Sequence, residues 1–268
     1  MAQDITADNS RIGVAGDWHG NLPWALSMLE RFHTEGISKV LQLGDFGLFG
    51  DPDGITYLDT LSKAANRLGL KILVTLGNHD NYVMADAMTR IVDGEYAGWE
   101  HNPQFPNILY ATRGQRWEWA GTSFVSMGGA NSIDRYGRIE GVNWWAGEQI
   151  SYGDIYRTID GGFADVFLAH DCPAGVPLFG SHRTDDSKWS AEALDYAQHS
   201  RVATRQAVDG VKPSLYFHGH YHHYLDLHTE LSDVFGNTYT LHSIGLDKDD
   251  CDNNIGILSL PSMEFTTI

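Results

Sequence analysis

The chain has 268 residues, of which 42% are hydrophobic, so it can bury a sizeable core and is too apolar to remain disordered. Its 35 acidic residues outnumber its 18 Lys and Arg residues, which gives a formal net charge of −17. Such a surface repels polyanions, so a nucleic-acid polymer is disfavoured as a partner. A small anion can still bind where divalent cations neutralise nearby carboxylates.

The N-terminal segment is polar and predicts a flexible tail over 1–10, followed by one domain over 11–268, because no linker interrupts the motifs. The tail lacks the apolar core of a signal peptide or anchor, and no run approaches the roughly 18 apolar residues of a membrane span. Cys172 and Cys251 show no disulfide-like spacing. We therefore expect a cytoplasmic protein without a membrane partner; the oligomeric state has no signature in the sequence.

The first part of the chain alternates apolar runs with helical patterns. Strands are predicted over 11–15, 40–43 and 71–76. One helix is predicted to begin near Leu22, with Asn21 as its cap and Pro23 in its first turn. A second helix is predicted over 55–68 and ends at Gly69. This order of strands and helices predicts right-handed crossovers and a largely parallel first sheet.

After a short predicted helix over 82–91, the pattern changes to consecutive strands. Two of them, over 115–120 and 122–127, are joined by a tight turn at Ala120 and Gly121. Further strands are predicted over 108–110, 166–169, 214–217, 224–228, 238–244, 255–260 and 264–268, with one helix over 190–208. The expected fold class is α/β, with two mixed β-sheets packed as a sandwich flanked by helices.

Three predicted strands end in glycine followed by polar side chains that can bind metal. The segments are Gly16-Asp17-Trp18-His19, Gly44-Asp45 and Gly77-Asn78-His79-Asp80, and His170 and the cluster 218–223 follow two later strands. Strand ends of this kind are where α/β proteins place their chemistry. Mixed carboxylate, amide and imidazole donors suit Mn²⁺, Fe²⁺ or Zn²⁺. One carboxylate such as Asp45 can bridge two ions about 3.5–4 Å apart, as in phosphoester hydrolysis.

This ordered series resembles the calcineurin-like metallophosphoesterase family. The resemblance covers about three quarters of the chain and rests on Asp17-Trp18-His19, Gly44-Asp45, Gly77-Asn78-His79-Asp80, His170 and Gly219-His220-Tyr221-His222. Each block alone is weak evidence, whereas five in the right order are a strong signal. The resemblance implies the two-sheet fold described above and a metal-dependent phosphoester hydrolase.

The resemblance also implies a role for each matching residue. One ion would be held by Asp17, His19, Asp45 and His222, and the other by Asp45, Asn78, His170 and His220. A hydroxide bridging the two ions would attack phosphorus, with Mn²⁺ the favoured metal and Fe²⁺ or Zn²⁺ as alternatives. His79 would stabilise the transition state or protonate the leaving oxygen, and Asp80 would orient the His79 ring.

Two features blur the family pattern. Gly44-Asp45 is followed by Phe46, Gly47 and Leu48, so the Arg that clamps phosphate in serine/threonine protein phosphatases is missing. Periodicity also puts His218, His220 and His222 on one face of a strand. The family's glycine, matched by Gly219, selects His220 and His222 as ligands. For His218 and His223, contact with a ligand residue and exposure to solvent both stay open.

The segment Gly128-Gly129-Ala130-Asn131-Ser132 resembles part of some bacterial members of the family, and Arg135 and Arg138 follow it. We expect Arg135 or Arg138 to contact the substrate phosphate or its ribose, because few cations lie near the motifs. The predicted function is that of a phosphodiesterase on small phosphodiesters such as cyclic nucleotides. The alternatives are a phosphomonoesterase, including a serine/threonine protein phosphatase, and, as a different class, a non-catalytic metal-binding scaffold, which would have no need of His79.

Overall fold

Two β-sheets with helices on their outer faces make up the fold in the computed structural model, which describes residues 9–178 and 188–268. Most of the predicted flexible tail, residues 1–8, lies outside the described residues. The strands, in chain order, are β1 (Arg11–Ala15), β2 (Lys39–Gln42), β3 (Lys71–Thr75), β4 (Thr89–Arg90), β5 (Glu100–His101), β6 (Ile108–Ala111), β7 (Gln115–Trp119), β8 (Thr122–Met127), β9 (Val166–Ala169), β10 (Leu215–His218), β11 (Leu225–Ser232), β12 (Thr238–Gly245), β13 (Ile255–Ser259) and β14 (Glu264–Thr267). The helices are α1 (Leu22–Thr34), α2 (Pro52–Leu68), α3 (Tyr82–Asp86), α4 (Tyr152–Asp160) and α5 (Ala191–Val211), with short 3-10 helices at Arg135–Gly137 and Ala146–Glu148.

Each sheet has a parallel centre and antiparallel edges. The first sheet has the strand order β14-β13-β1-β2-β3-β6-β5-β4, in which β1, β2, β3 and β6 run parallel. The second has the order β11-β12-β10-β9-β8-β7, in which β8, β9, β10 and β12 run parallel. The carboxyl ends of each parallel set therefore lie along one edge of its sheet, and the polar motifs follow those ends.

Alternating side chains on the strands explain why the sheets form a sandwich. On β2, Val40 packs against the outer helices, whereas its neighbour Leu41 packs between the sheets. Ile72 and Leu73 on β3 divide in the same way. Each such side chain contributes about 1.5–3 kcal/mol when it is fully buried, so strands that are apolar on both faces require a layer on each side.

The helices cover the outer faces of the two sheets. Helices α1 and α2 pack on the first sheet through residues such as Leu29 and Leu58. Helix α5 packs on the second sheet through Val208 and Val211, which contact a cluster that includes Phe167. The expected α/β sandwich of two mixed sheets with flanking helices is confirmed.

Local signals account for most element boundaries, but not for all of them. The Asn21 side chain accepts a hydrogen bond from the backbone N–H of Trp24 and caps α1, and Gly69 ends α2 in the left-handed conformation. The helix predicted over 82–91 is shorter, because residues 89–90 pair with 100–101 as strands β4 and β5. Helix α4 was not predicted, although Ser151 and Asp154 form a capping box at its start.

Two further expectations concern the cysteines and the membrane. Cys172 and Cys251 are both free, as expected. Within residues 9–178 and 188–268, none of the helices is both long enough and apolar enough to cross a bilayer.

Candidate metal centre

Side chains that follow five strands meet at one place between the two sheets. The ligand atoms of Asp17, His19, Asp45 and His222 all lie within 4.8 Å of one another, and so do those of Asp45, His170 and His220. Asp45 belongs to both groups. We call the first group the outer position, and the second group together with Asn78 the inner position.

The outer position combines two carboxylates with two imidazoles. The Nε2 atom of His19 lies 3.6 Å from Oδ2 of Asp45 and 4.0 Å from Oδ2 of Asp17, and Nε2 of His222 lies 3.2 Å from Oδ2 of Asp17. The backbone N–H of His220 also donates to the Asp17 carboxylate. Both carboxylates are buried, whereas both imidazoles are partly exposed.

The inner position lies deeper. The Nε2 atom of His170 is 3.0 Å from Oδ1 of Asn78 and 3.4 Å from Oδ1 of Asp45, and the rings of His170 and His220 are 5.0 Å apart. The Nδ1 atom of His170 lies 2.7 Å from the carbonyl oxygen of Leu43, which can only accept, so Nδ1 carries a proton. This contact leaves Nε2 directed at the inner position.

The charges of this cluster fit divalent cations. Burial lowers the pKa of His170, but the charges of Asp45 and Asp17 outweigh it and raise the pKa to about 10. For His19, burial is likewise outweighed by Asp45 and Asp17, and the pKa rises to about 9. Burial and the neighbouring His170 lower the pKa of His220 to about 3, so its ring stays neutral and can act as a ligand. Two buried carboxylates that draw protons onto their neighbours attract metal cations for the same reason, and the mixed donors suit transition metals.

Backbone strain is concentrated at the same residues. Nine residues other than glycine have positive φ in the described ranges, and four of them are His19 (46°), Asp45 (49°), His220 (70°) and His222 (50°). This conformation costs an L-residue roughly 1–3 kcal/mol, so the surrounding structure must impose it. Strain at four of the seven converging residues indicates that the backbone is shaped for this site.

Two glycines let the backbone approach the carboxylates. A Cβ atom on Gly219 would lie within 3.0 Å of Asp17 Oδ1, and a Cβ atom on Gly77 would lie within 3.0 Å of the Asp45 carboxylate and backbone. No real side chain tolerates such contacts, so glycine is required at both positions.

The histidines after β10 differ from the sequence interpretation. Strand β10 ends at His218, and His220 and His222 lie in the following turn rather than on one strand face. His218 is buried, its Nδ1 lies 3.0 Å from the Gly219 carbonyl oxygen, and burial lowers its pKa to about 4. It contributes to neither ligand group, and His223 is half-buried in the same turn.

Asp80 has a different role from the one expected. Its buried carboxylate accepts hydrogen bonds from the backbone N–H groups of Phe46, Gly47, Leu48 and Gly77 at 2.9–3.3 Å. None of the hydrogen bonds of this carboxylate in the described structure involves the His79 ring. The interpretation that Asp80 orients His79 is therefore corrected: Asp80 holds the loop that follows Asp45, because a buried carboxylate needs donors and backbone amides supply them.

The His79 ring lies at the entrance of the site, beside one arginine. Its Nε2 atom is 3.8 Å from Oδ2 of Asp45 and 3.4 Å from Nη2 of Arg138. Arg138 also donates two hydrogen bonds to Asp134, at 2.6 and 2.7 Å. Arg135 points elsewhere: its guanidinium stacks on the rings of Trp144 and Tyr196, 4.5 and 4.9 Å from their centres. Of the two predicted phosphate contacts, Arg138 is the one that contacts His79.

Sequence reasoning missed two supports of the ligands. The Oδ1 atom of Asp249 lies 2.9 Å from Nδ1 of His19, and Asn21 donates to the other oxygen of Asp249 at 2.8 Å. Ser132 accepts a hydrogen bond from the Asn78 amide nitrogen at 2.9 Å. The acidic run that follows β12 was the available signal for Asp249; for Ser132 the signal was its place in the segment 128–132, which resembles part of some bacterial members of the family.

Two ligand groups that share one carboxylate, on an α/β sandwich, form a candidate site for two metal ions. A family model described as calcineurin-like phosphoesterase matches residues 10–224. The chain belongs to this family of metal-dependent phosphoester hydrolases. The match ends before Asp249, so the support for His19 comes from a part of the chain outside it.

Solved structures with similar folds span nearly the whole chain. One is the protein TT1561 of Thermus thermophilus, with 12% identity, a TM-score of 0.51, and coverage of 97% of this chain and 98% of that one. Another is a dimetal phosphatase from Danio rerio, with 13% identity, a TM-score of 0.50, and coverage of 93% and 92%. At these identities the likeness shows the fold alone. No curated protein matches the chain.

Proposed function

We propose that this protein is a phosphodiesterase that hydrolyses small phosphodiesters such as cyclic nucleotides, using two divalent ions, with Mn²⁺ favoured. The observation that carries the proposal is that Asp45 is shared by two ligand groups, with His79 and Arg138 beside them at the open side. Ions bound at the outer and inner positions would polarise the phosphoester and supply a nucleophilic water of lowered pKa.

The residues of the chain would orient the substrate around that centre. A phosphate oxygen placed between His79 and Arg138 can accept hydrogen bonds from both side chains. Because Nε2 of His79 is 3.8 Å from the proposed shared carboxylate of Asp45, a phosphoester bound there would have its leaving oxygen within reach of His79. His79 would stabilise the charge that develops on this oxygen or donate a proton to it. Arg138 is the group that we propose contacts the phosphate; Arg135, whose guanidinium stacks on the rings of Trp144 and Tyr196, would not contact it.

The small number of basic side chains at the site favours a diester substrate over a monoester. In the described part of the chain, Arg138 is the one Lys or Arg that forms a hydrogen bond or ion pair with the ligand residues or His79. Burial raises the pKa of Asp134, but Arg138 outweighs it and keeps that pKa low, so part of the Arg138 charge is already offset. A phosphodiester carries one negative charge and a monoester close to two at neutral pH, and the single partly neutralised arginine suits the smaller charge.

Rates on matched substrates test this preference. We expect kcat/KM on an aryl phosphodiester to exceed that on the corresponding monoester and on a phosphopeptide when Mn²⁺ is supplied. Arg138→Ala should raise KM for the diester about tenfold or more, in line with a lost charge-assisted hydrogen bond of about 1.5–3 kcal/mol. Arg135→Ala, in the same loop, is the control and should change KM by less than about threefold.

Other results would favour the alternatives. Higher kcat/KM on the monoester or the phosphopeptide would favour a phosphomonoesterase or a serine/threonine protein phosphatase. Metal binding without turnover of any phosphoester would favour a non-catalytic scaffold. Equal effects of Arg138→Ala and Arg135→Ala would contradict the assignment of Arg138. A cytoplasmic location, with both cysteines free, is part of the proposal.

A further inference from the structure

The amide of Asn78 is connected to a chain of buried polar groups that leads away from the metal centre. Its Nδ2 atom donates to Oγ of Ser132 at 2.9 Å, and Ser132 Oγ lies 2.6 Å from Oε2 of Glu148. The other oxygen of Glu148 accepts from the backbone N–H of Ser132 at 2.9 Å and from the Tyr196 hydroxyl at 2.8 Å. Asn78, Ser132 and Glu148 are 3%, 2% and 0% exposed, so bulk water does not compete for these bonds.

When the Glu148 carboxyl is ionised, the donors and acceptors of this chain allow one direction only. The Glu148 carboxylate accepts, so the single hydroxyl proton of Ser132 points toward Glu148. The Ser132 oxygen then offers only lone pairs to Asn78, and the amide must turn its nitrogen toward Ser132. Oδ1 of Asn78 is thereby directed to the inner position, 3.0 Å from Nε2 of His170. Burial raises the pKa of Glu148 on balance, and the hydrogen bonds from Ser132 offset only part of that rise.

Orientation of this amide decides whether Asn78 can bind an ion. The two ends of an asparagine amide have similar size, but only the oxygen can coordinate a cation. The position of the carboxylate is itself fixed, because Arg113 donates to the backbone carbonyl groups of Gly147 and Glu148 at 2.7 and 3.0 Å. The polar chain is therefore anchored at both ends.

We propose that Ser132 and Glu148 are positioning residues for the inner ion: they fix the orientation of the Asn78 amide so that its oxygen faces that ion. The inference rests on the proposed function, since it requires two ions at the centre. Neither residue touches the substrate or the ions. Partners that orient metal ligands typically contribute 10- to 100-fold to metal affinity.

Calorimetric titration of chelator-stripped protein with Mn²⁺ tests the inference without relying on activity. Ser132→Ala should lower the affinity for one of the two Mn²⁺ ions by about 10- to 100-fold and leave the affinity for the other within about twofold of wild type. Glu148→Gln should act in the same direction, because a side-chain amide can donate to Ser132 and reverse the chain. Ser126→Ala is the matched control: Ser126 is a buried hydroxyl bonded to Thr75 at 2.9 Å, and its loss should leave both affinities unchanged.

A double-mutant cycle separates orientation from general support of the fold. Asn78→Asp has two equivalent oxygens and no amide to orient, so adding Ser132→Ala to it should change the inner affinity by less than about threefold. The inference would be overturned if Ser132→Ala lowered the inner affinity as much in the Asn78→Asp background as in the wild type. It would also be overturned if Ser132→Ala and Glu148→Gln lowered both affinities equally or changed neither. If wild-type protein binds fewer than two ions, the proposed function is overturned as well. If it binds two ions and the substitutions of Ser132 and Glu148 do not selectively lower the affinity for one of them, only the positioning role is overturned.

Discussion

The outer and inner positions are built at different depths and depend on different parts of the chain. In the outer position the side chains of His19 and His222 are 25% and 38% exposed, whereas His170 in the inner position is fully buried. His19 is supported by the Asp249 carboxylate, from a late segment outside the family match. His170 is supported by the backbone carbonyl of Leu43, which directly follows strand β2 of the first sheet.

Because of this difference, a substitution can alter one of the two positions without altering the other. In the inner position the His170 imidazole donates to a main-chain carbonyl, so substitution of the Leu43 side chain cannot remove that hydrogen bond. The outer position uses a side-chain carboxylate near the surface, which a single substitution can remove. Asp45 is the one carboxylate common to both positions, and its loss should affect them together.

Replacement of the shared carboxylate should have the largest effect. We expect Asp45→Asn to weaken both ions and to lower kcat/KM by roughly a thousandfold or more, because metal ions contribute several kcal/mol to transition-state stabilisation. Asp17→Asn is the comparison: Asp17 belongs only to the outer position, so calorimetry should show one weakened ion. Equal loss of both ions in Asp17→Asn would contradict the division into two positions.

Replacement of the Asp249 carboxylate should have a smaller effect on metal affinity, and this effect should be confined to the outer position. Asp249→Asn should weaken binding of the outer ion by about 10- to 100-fold, because an amide is a weaker acceptor for Nδ1 of His19 than a carboxylate and can also turn its nitrogen toward that ring. The inner ion should be unaffected. Asp250→Asn is the matched control, since Asp250 bonds to Asn21 at 3.0 Å rather than to His19, and it should change the affinity for either ion by less than about threefold. Similar losses of affinity for the outer ion in the two variants would show that this affinity depends on the local negative charge and not on the hydrogen bond to His19.

The change in the stability of metal-free protein with pH should be the smallest of these effects. The pKa values of His19 and His170 rise to about 9 and about 10 in the folded chain, from an ordinary value of 6.5. A raised folded pKa contributes stability that is fully present below pH 6.5 and is lost as pH rises through 9 and 10. Chelator-stripped protein should therefore show a decline in Tm between pH 7 and 10 that Mn²⁺-loaded protein does not share. Parallel declines would contradict the role of these imidazolium groups.

The fold and the convergence of the candidate ligands could be predicted because both depend on short segments of sequence. Leu41 and Leu73 alternate with outward neighbours over a few residues, and Asp17, Asp45 and Asn78 each come shortly after an apolar strand. A strand end fixes where the next side chains lie, so residues far apart in sequence could be placed at one edge.

The supporting contacts could not be predicted, because they join segments that have no common pattern. His19 and Asp249 are 230 positions apart, and Asn78 and Ser132 are 54 apart. Asp80 was misassigned for a related reason: its place beside His79 in sequence gives no information on which way its side chain turns. Its carboxylate turns to backbone amides of the loop after β2, which satisfy its buried charge.

Anomalous diffraction from crystals of Mn²⁺-loaded protein would locate the bound ions directly. A carboxylate of Asp45 that is shared by two ions predicts two anomalous peaks about 3.5–4 Å apart, with Asp45 between them, one peak beside His19 and the other beside His170. A single peak, or peaks that do not flank Asp45, would contradict the sharing of Asp45 by two ions.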